Sequence, residues 1–366
     1  YCSNSSMALT NVTISDNSVL GAGWRNGGGI YCSNSSMALT NVTISDNSAG
    51  RGGGIYIVSP SYNTTFNNVT ISNNSAEYGG GIYFATTTSY RTFANITISN
   101  NSASSYGGGI YFDNSSPSLE NVTITDNSAG YGGGGIYCAG TPSLINCILW
   151  NDSPQEARLA SSNSSITIAY SDFQGGESSI VTNNGTVYWE ENNIDADPLF
   201  VEADNSDYHL TVDSPCIDAG DPSITDPDGT ISDIGAFSFY APDAEFSANQ
   251  IFGIAQIDVS FTDESPGASE NIDSWLWDFG DGSTSTEQHP THTYNLSSRI
   301  ESFTVSLTIN WLGGEDTVIK EDFITLYHPV MVDFSADTLI GKNELEVEFT
   351  STPQGDYDSF FWDFGD

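Results

Sequence analysis

YCSNSSMALTNVTISDNS occupies residues 1–18 and returns, letter for letter, at 31–48. Looser copies follow. The string GGGI ends at Ile30, Ile55, Ile82, Ile110 and Ile136, in steps of 25, 27, 28 and 26 residues. A second column, NVTI or NITI, opens at Asn11, Asn41, Asn68, Asn95 and Asn121, with NCIL at Asn146. A period near 26, β-branched residues, glycine at the turns and no helical periodicity predict a solenoid of short strands stacked coil on coil.

Alternation within each copy says which way the side chains point. Ile30, Ile55, Ile82, Ile110 and Ile136 form one apolar column, and Cys32, Ile57, Phe84, Phe112 and Cys138 form another two positions on. Strand side chains alternate between faces, so both columns point inward and the tyrosine between them points out. By the same rule the Val and Ile of NVTI point in and the Thr points out. Past the second Ile runs an asparagine column, read as Asn17, Asn47, Asn74, Asn101, Asn127 and Asn151. Stacked asparagines are expected to pass side-chain amides to the next coil's carbonyls, and to tolerate the left-handed backbone of a sharp corner.

GG-x-I paired with an apolar-x-x-Asn step resembles the repeats of right-handed parallel β-helices on bacterial surfaces, including polymorphic outer-membrane proteins and related adhesins. The second motif of that family usually begins with Phe, where this chain has Ile. ITIAYSDFQGG (166–176), NIDADPLF (193–200), DYHLTVDSPCIDAGDP (207–222) and DPDGTISDIGAF (226–237) are similar to the closing coils of secreted bacterial β-helix proteins. The resemblance implies a β-helix over 1–240, but names no ligand or reaction. In that group immunoglobulin-like modules and a C-terminal sorting or anchor domain follow the helix.

The second half changes character. WLWDFGDGSTSTEQHPTHTY (275–294), FTVSLTI (303–309) and DFITLY (322–327) closely resemble a PKD domain, an immunoglobulin-like β-sandwich, placed at 243–327. Short alternating strands separated by turn signals support a sandwich independently. The pattern restarts at Val332, so 330–366 reads as the N-terminal part of a second PKD domain. The sequence is therefore expected to be a window onto a longer protein. The expected fold is all-β throughout.

Charge follows the same division. The chain carries 47 acidic against 7 basic side chains, a formal net charge of −40. Residues 1–175 hold nine acids and four bases, and the remainder holds the other 38 acids with Arg299, Lys320 and Lys342. Such a balance argues against nucleic acid, which needs a basic footprint, and against anionic lipid. No apolar run approaches the ~18 residues that span a bilayer, so no membrane insertion is expected in this segment. Fifteen N-x-S/T sequons fit an exposed surface, and five of them arise from the NVT/NIT column itself.

β-Helices host polysaccharide lyases and hydrolases, which makes an enzyme one expectation to weigh. Asp16, Asp46 and Asp126 share a turn column with Asn73 and Asn100 between them, a pattern of capped turns more than of paired catalytic carboxylates. The four histidines have no nucleophile and acid in context. Cys2, Cys32 and Cys138 fall in an inward column suited to small apolar residues, while Cys138 and Cys147 are candidates for pairing. The best cation candidate is the acidic turn Asp226, Asp228 and Asp233, whose alternate carboxylates around a glycine suit Ca²⁺. Tyr31, Tyr56, Tyr83, Tyr111 and Tyr137 should stand about 4.8 Å apart on consecutive coils. They form either an aromatic stripe for sugars or a partner, or rings that steady each other across strands.

The sequence thus predicts a non-enzymatic, extracellular or cell-surface structural or adhesive protein. Its β-helix would be a rigid rod, its PKD modules spacers, and its partners other copies, surface proteins or glycans, with assembly into a fibre or envelope layer as one form. The alternative is a carbohydrate-binding or polysaccharide-cleaving β-helix.

Overall fold

The computed structural model describes residues 1–19, 25–59, 64–85, 92–227, 229–239, 242–265, 272–297, 300–311, 314–329, 333–337, 340, 346–353, 359 and 361–364. The chain divides into two compact units, Tyr1–Phe239 and Tyr240–Asp366.

The first unit is a parallel β-solenoid in which each repeat supplies one coil. A seven-stranded sheet takes one short strand from each coil, Cys2–Ser3, Ile30–Ser33, Ile55–Val58, Ile82–Ala85, Ile110–Asp113, Ile136–Ala139 and Ala157–Leu159. We call it the Gly-Ile sheet. A long sheet collects the NVTI strands, from Ser6–Ser15 through Ser36–Ser45, Thr65–Ser72, Thr92–Ser99 and Ser118–Thr125 to Thr186–Trp189. A three-stranded third sheet, Ser75–Tyr78, Ser102–Tyr106 and Ser128–Ala129, completes the middle coils.

Register carries the repeat into space. Ile30, Ile55, Ile82, Ile110 and Ile136 are direct parallel neighbours, as are Cys32, Ile57, Phe84, Phe112 and Cys138. All ten are buried in one continuous core with the Val and Ile columns of the long sheet. Such burial, at roughly 25 cal/mol per Å² of apolar surface, holds coils that have little intrinsic propensity to fold alone.

The triglycine is needed because two coils meet there at backbone distance. Gly52 has φ of 62°, which a side chain disfavours. A Cβ on Gly53 would stand 2.5 Å from the carbonyl oxygens of both Gly80 and Ser75.

Parallel coiling does not continue to residue 240. Residues 200–239 contain an antiparallel pair, Phe200–Glu202 with Asp207–Leu210, and then irregular backbone. This segment is a strap on the outer face of the long sheet. Its Leu210, Cys216 and Ile234 bury against Ile148, with Trp150 packed beside them. The Ala236 N–H donates to Thr123 Oγ1 (2.9 Å), and the Gly235 N–H to the Asn146 carbonyl (2.9 Å).

The second unit contains a sandwich of a three-stranded sheet (Phe246–Ala248, Gln256–Asp263, Thr291–Asn295) and a five-stranded sheet. The longest strands of the latter are Ile300–Trp311 and Gly314–Tyr327. Trp277, Tyr294, Phe246 and Phe261 fill the space between the sheets. Glycine-rich turn geometry is stapled by Asp278 and Asp281, which accept the N–H groups of Gly280 and Ser283. A further short antiparallel pair, Phe334–Ala336 with Phe349–Ser351, follows.

Candidate functional site

The tyrosine column is in register, Tyr31, Tyr56, Tyr83, Tyr111 and Tyr137 being direct neighbours on the outside of the Gly-Ile sheet. Their rings are not laid flat on the surface. They stack face on face, with centroids 5.3, 5.2, 4.8 and 4.8 Å apart and interplanar angles of 6°, 12°, 5° and 24°. The strand spacing of the sheet falls in the centroid range of offset-stacked rings, so Tyr56, Tyr83 and Tyr111 have a tyrosine against each face. Tyr78 meets Tyr111 edge-on and Tyr106 lies against Tyr137, closing the stack from the third sheet. Tyr56 and Tyr83 are only 7 % and 3 % exposed. An open stripe over all five residues is therefore corrected to a stacked ladder whose middle rungs are covered.

Polar groups finish the ladder. The Tyr83 hydroxyl donates to Asp113 Oδ2 (2.8 Å), and the Arg51 guanidinium lies 5.5 Å from the Tyr83 ring centroid. Burial pushes the hydroxyls of Tyr83 and Tyr111 far above their usual range, so both stay neutral. At the first coils the outer face opens into a depression of about 790 Å³, lined by Asn26, Tyr31, Tyr56 and Val58 among others.

The asparagine ladder runs through Asn17, Asn47, Asn74, Asn101 and Asn127. The backbone N–H and Nδ2 of Asn47 both donate to Asn74 Oδ1 (3.0 Å each), and those of Asn74 to Asn101 Oδ1 in the same way. From Asn47 to Asn127 each Nδ2 also serves two carbonyls, one in its own coil and one in the preceding coil, such as Ser72 and Ile44 for Asn74; that of Asn17 serves Ser15 alone. Asn47, Asn74, Asn101 and Asn127 are buried, whereas Asn17 in the first coil is exposed.

Asn151 is not the sixth rung. Thr125 pairs with Trp150, so Asn151 falls in register with Asp126, one place short of the ladder. The rung is Asp152, whose Oδ1 accepts the backbone N–H (2.7 Å) and Nδ2 (2.9 Å) of Asn127. Counting from Asn146 rather than looking for an asparagine would have found it. Glu156 lies beside Asp152 and accepts its N–H (3.1 Å). Burial raises the Asp152 carboxyl well above its ordinary range, with the neighbouring Glu156 adding to the effect. Burial brings Glu156 up to about 7.

The left-handed corners also belong elsewhere than on the ladder. They are Asn11, Asn41, Asn68, Asn95, Asn121 and Asn146, with φ of 52–56°, and the column Asp16, Asp46, Asn73, Asn100, Asp126 and Asn151, with φ of 56–60°. Asn41, Asn68 and Asn146 in the first set donate Nδ2 to the Oδ1 of the preceding coil's asparagine, at 3.0–3.1 Å.

In the acidic turn, Asp228 lies outside the described residues. Asp226 Oδ2 accepts the Asp233 N–H (2.8 Å) and its Oδ1 the Ser238 hydroxyl (3.0 Å). Asp233 accepts the N–H groups of Asp218 and Phe239, and burial raises its pKa to about 6. These carboxylates staple the strap to itself. Among the described residues no three His, Cys, Asp or Glu side chains gather in a metal-binding group.

The remaining candidates are likewise engaged in local structure. His292 Nε2 pairs with Asp281 Oδ2 (2.8 Å), and His289 Nδ1 accepts the Asp263 N–H (3.1 Å). Cys138 and Cys147 are free thiols that donate to backbone carbonyls rather than to each other.

Fold and ladders define a class: an all-β modular protein, a parallel β-solenoid followed by an immunoglobulin-like sandwich. The chain belongs to the right-handed β-helix family, whose model matches residues 1–212. A PKD domain matches residues 240–326. Two curated relatives match through their PKD domains. A microbial collagenase of Vibrio alginolyticus is 35% identical over 94 residues, covering 22% of this chain and 12% of the relative. Collagenase ColA of Bacillus cereus is 36% identical over 66 residues, 18% of this chain and 7% of that protein. The chain thus spans a small fraction of either. Among solved structures, the PKD1 domain of the Vibrio cholerae metalloprotease PrtV is 34% identical and covers 24% of this chain and 99% of its own, with a TM-score of 0.20. The PKD1 domain of Vibrio anguillarum Epp is 28% identical, covers 25% and 98%, and has a TM-score of 0.20. No described helix is long and apolar enough to cross a membrane.

Proposed function

We propose that the chain is a non-enzymatic, cell-surface structural or adhesive protein, with the β-helix as a rigid rod and the PKD modules as acidic spacers. The observation that carries this reading is the use of the solenoid's distinctive side chains. Tyrosines, buried asparagines and Asp152 are committed to coil-to-coil contacts, which stiffen a rod and leave little to hold a reacting substrate. Mutual repulsion keeps strongly acidic modules extended and soluble. The contacts are homotypic or with surface glycans, and the depression beside Asn26 and Tyr31 supplies an aromatic rim for a sugar ring. Incubation with a panel of polysaccharides is expected to release neither reducing sugars nor unsaturated oligosaccharides, while glycan retention or self-association is measurable. Release of either product overturns the reading and favours a polysaccharide-cleaving β-helix.

Calcium at Asp226 and Asp233 belongs to the same proposal, because a carboxylate oxygen that accepts one N–H keeps a second lone pair. Ca²⁺ should then raise the melting temperature more than NaCl at equal ionic strength, and Asp226→Asn should abolish the difference. Equivalence of the two salts leaves screening alone.

A further inference from the structure

One copy of the repeat carries an extra glycine. Tyr131 is followed by four glycines, where Arg51, Tyr78 and Tyr106 are each followed by three. In the corner column Arg51 pairs with Tyr78 and Tyr78 with Tyr106, but Tyr106 then pairs with Gly132. The added glycine takes the tyrosine's place in the column and leaves Tyr131 beside it, 67 % exposed. Gly132 has φ of 147°, a conformation that a side chain disfavours.

The notch left by the missing side chain is reached by two groups from the next coil. A Cβ on Gly132 would stand 2.9 Å from Gln155 Nε2 and 3.3 Å from Arg158 Nη1, so two donors converge over one bare backbone position. Neither side chain has a hydrogen-bond acceptor among the described residues, and both are half-buried. Aromatic rings stand alongside. Tyr131 lies 5.7 Å from Tyr106 and Tyr106 4.5 Å from Tyr137, centroid to centroid, and Tyr137 is the direct strand neighbour of Arg158. Burial and the neighbouring Tyr106 raise the Tyr137 hydroxyl against the opposing pull of the Arg158 charge, so it stays protonated and able to donate.

We infer that the notch over Gly132 binds an acidic glycan, with a uronic-acid carboxylate on Arg158 and Gln155 and the sugar ring against Tyr131. A guanidinium presents paired N–H groups in the plane of a carboxylate, and the Gln155 amide adds a neutral donor beside it. An exposed tyrosine next to that charge offers an apolar face to the C–H side of a pyranose and a hydroxyl to its rim. The inference rests on the glycan contacts proposed above and names the class of sugar that makes them.

Titration calorimetry of the whole chain should show a glucuronate oligosaccharide binding more tightly than its methyl ester, in which every carboxylate is neutral. Loss of a hydrogen bond to a charged group weakens binding about 10- to 100-fold, so Arg158→Ala should weaken the acid form by that factor and bring it level with the ester. Tyr131→Ala removes an exposed ring, and should weaken both forms with the melting temperature unchanged. Equal binding of acid and ester by the natural chain, or acid binding untouched by Arg158→Ala, overturns the inference and leaves glycan contacts elsewhere on the rod standing. Polyglutamate bound as tightly as the oligosaccharide overturns the assignment to a sugar. Failure of acidic and neutral glycans alike to bind overturns this site and the glycan reading together.

Discussion

Asn74 shows how much one residue holds in this fold. Its Oδ1 is the acceptor for two donors of Asn47, and its Nδ2 reaches two carbonyls, all at 2.8–3.0 Å and out of contact with water. Asn74→Ala strands these groups together. Each buried polar group left without a partner costs about 1–3 kcal/mol, so chemical denaturation should show a loss of at least that size. A midpoint within error of the natural chain would mean that water or a neighbour replaces the amide. Asn17→Ala, at the exposed first rung, should cost less. The tyrosines obey the same logic: replacing Tyr56, Tyr83 and Tyr111 removes packing, so those positions do not separate binding from folding.

At the scale of elements, the triglycine corner sets how closely coils approach. Gly53→Ala places a methyl 2.5 Å from two carbonyl oxygens of the next coil, neither of which can rotate away. Overpacking of this kind costs about 1–3 kcal/mol or more, and a lowered melting temperature is expected. An unchanged melt would show that coils separate cheaply. The Gly-Ile and NVTI strands were legible in the sequence because period-two alternation repeats at a fixed spacing, which fixes both face and register. The ends of the pattern were less so. Asn151 offered the right residue type one position early, and only pairing of Thr125 with Trp150 places Asp152 on the ladder. The burial of Tyr56 and Tyr83 was hidden because alternation tells inside from outside of a coil, not what stacks on the outside. The strap's motifs marked the end of the helix, but its place on the outer face depends on contacts such as Ala236 with Thr123, over a hundred residues apart.

The two units of the whole molecule should answer acid in opposite senses. In the solenoid, burial raises Asp172 and Glu156 to about 7 and Asp233 to about 6. A raised folded-state pKa means that the native state holds protons the unfolded chain has released. Their stabilisation is complete below the ordinary carboxylate range near 4 and is lost as pH rises through 6–7, at about 1.4 kcal/mol per pH unit per group. The sandwich runs the other way. Burial opposes it, yet hydrogen bonds from Ser265, Gln288 and Trp275 hold Asp263 below its usual value, and the Lys320 hydrogen bond does the same for Glu245. Stability from these groups is present at neutral pH and lost as pH falls through their depressed values. Calorimetry from pH 8 to 5 should move the solenoid transition upward, while acid below about 4 weakens the sandwich first. A solenoid transition that falls over the first interval would contradict the buried carboxyls.

Asp152 also gives the asparagine relay a full stop, although Ala157–Leu159 and Thr186–Trp189 still stack beyond it. Each rung from Asn47 to Asn127 both gives and takes, so a coil copied whole into the series finds a donor on one side and an acceptor on the other. An ionised carboxylate only takes, and a protonated one has a single hydrogen to give, so the amide relay cannot be handed on past it. Duplication of a repeat, as in the identical stretches at 1–18 and 31–48, can therefore lengthen the ladder on one side of Asp152 and not the other. Reach becomes a quantity counted in whole coils, about 4.8 Å at a time, while the strap and everything after it travel unchanged.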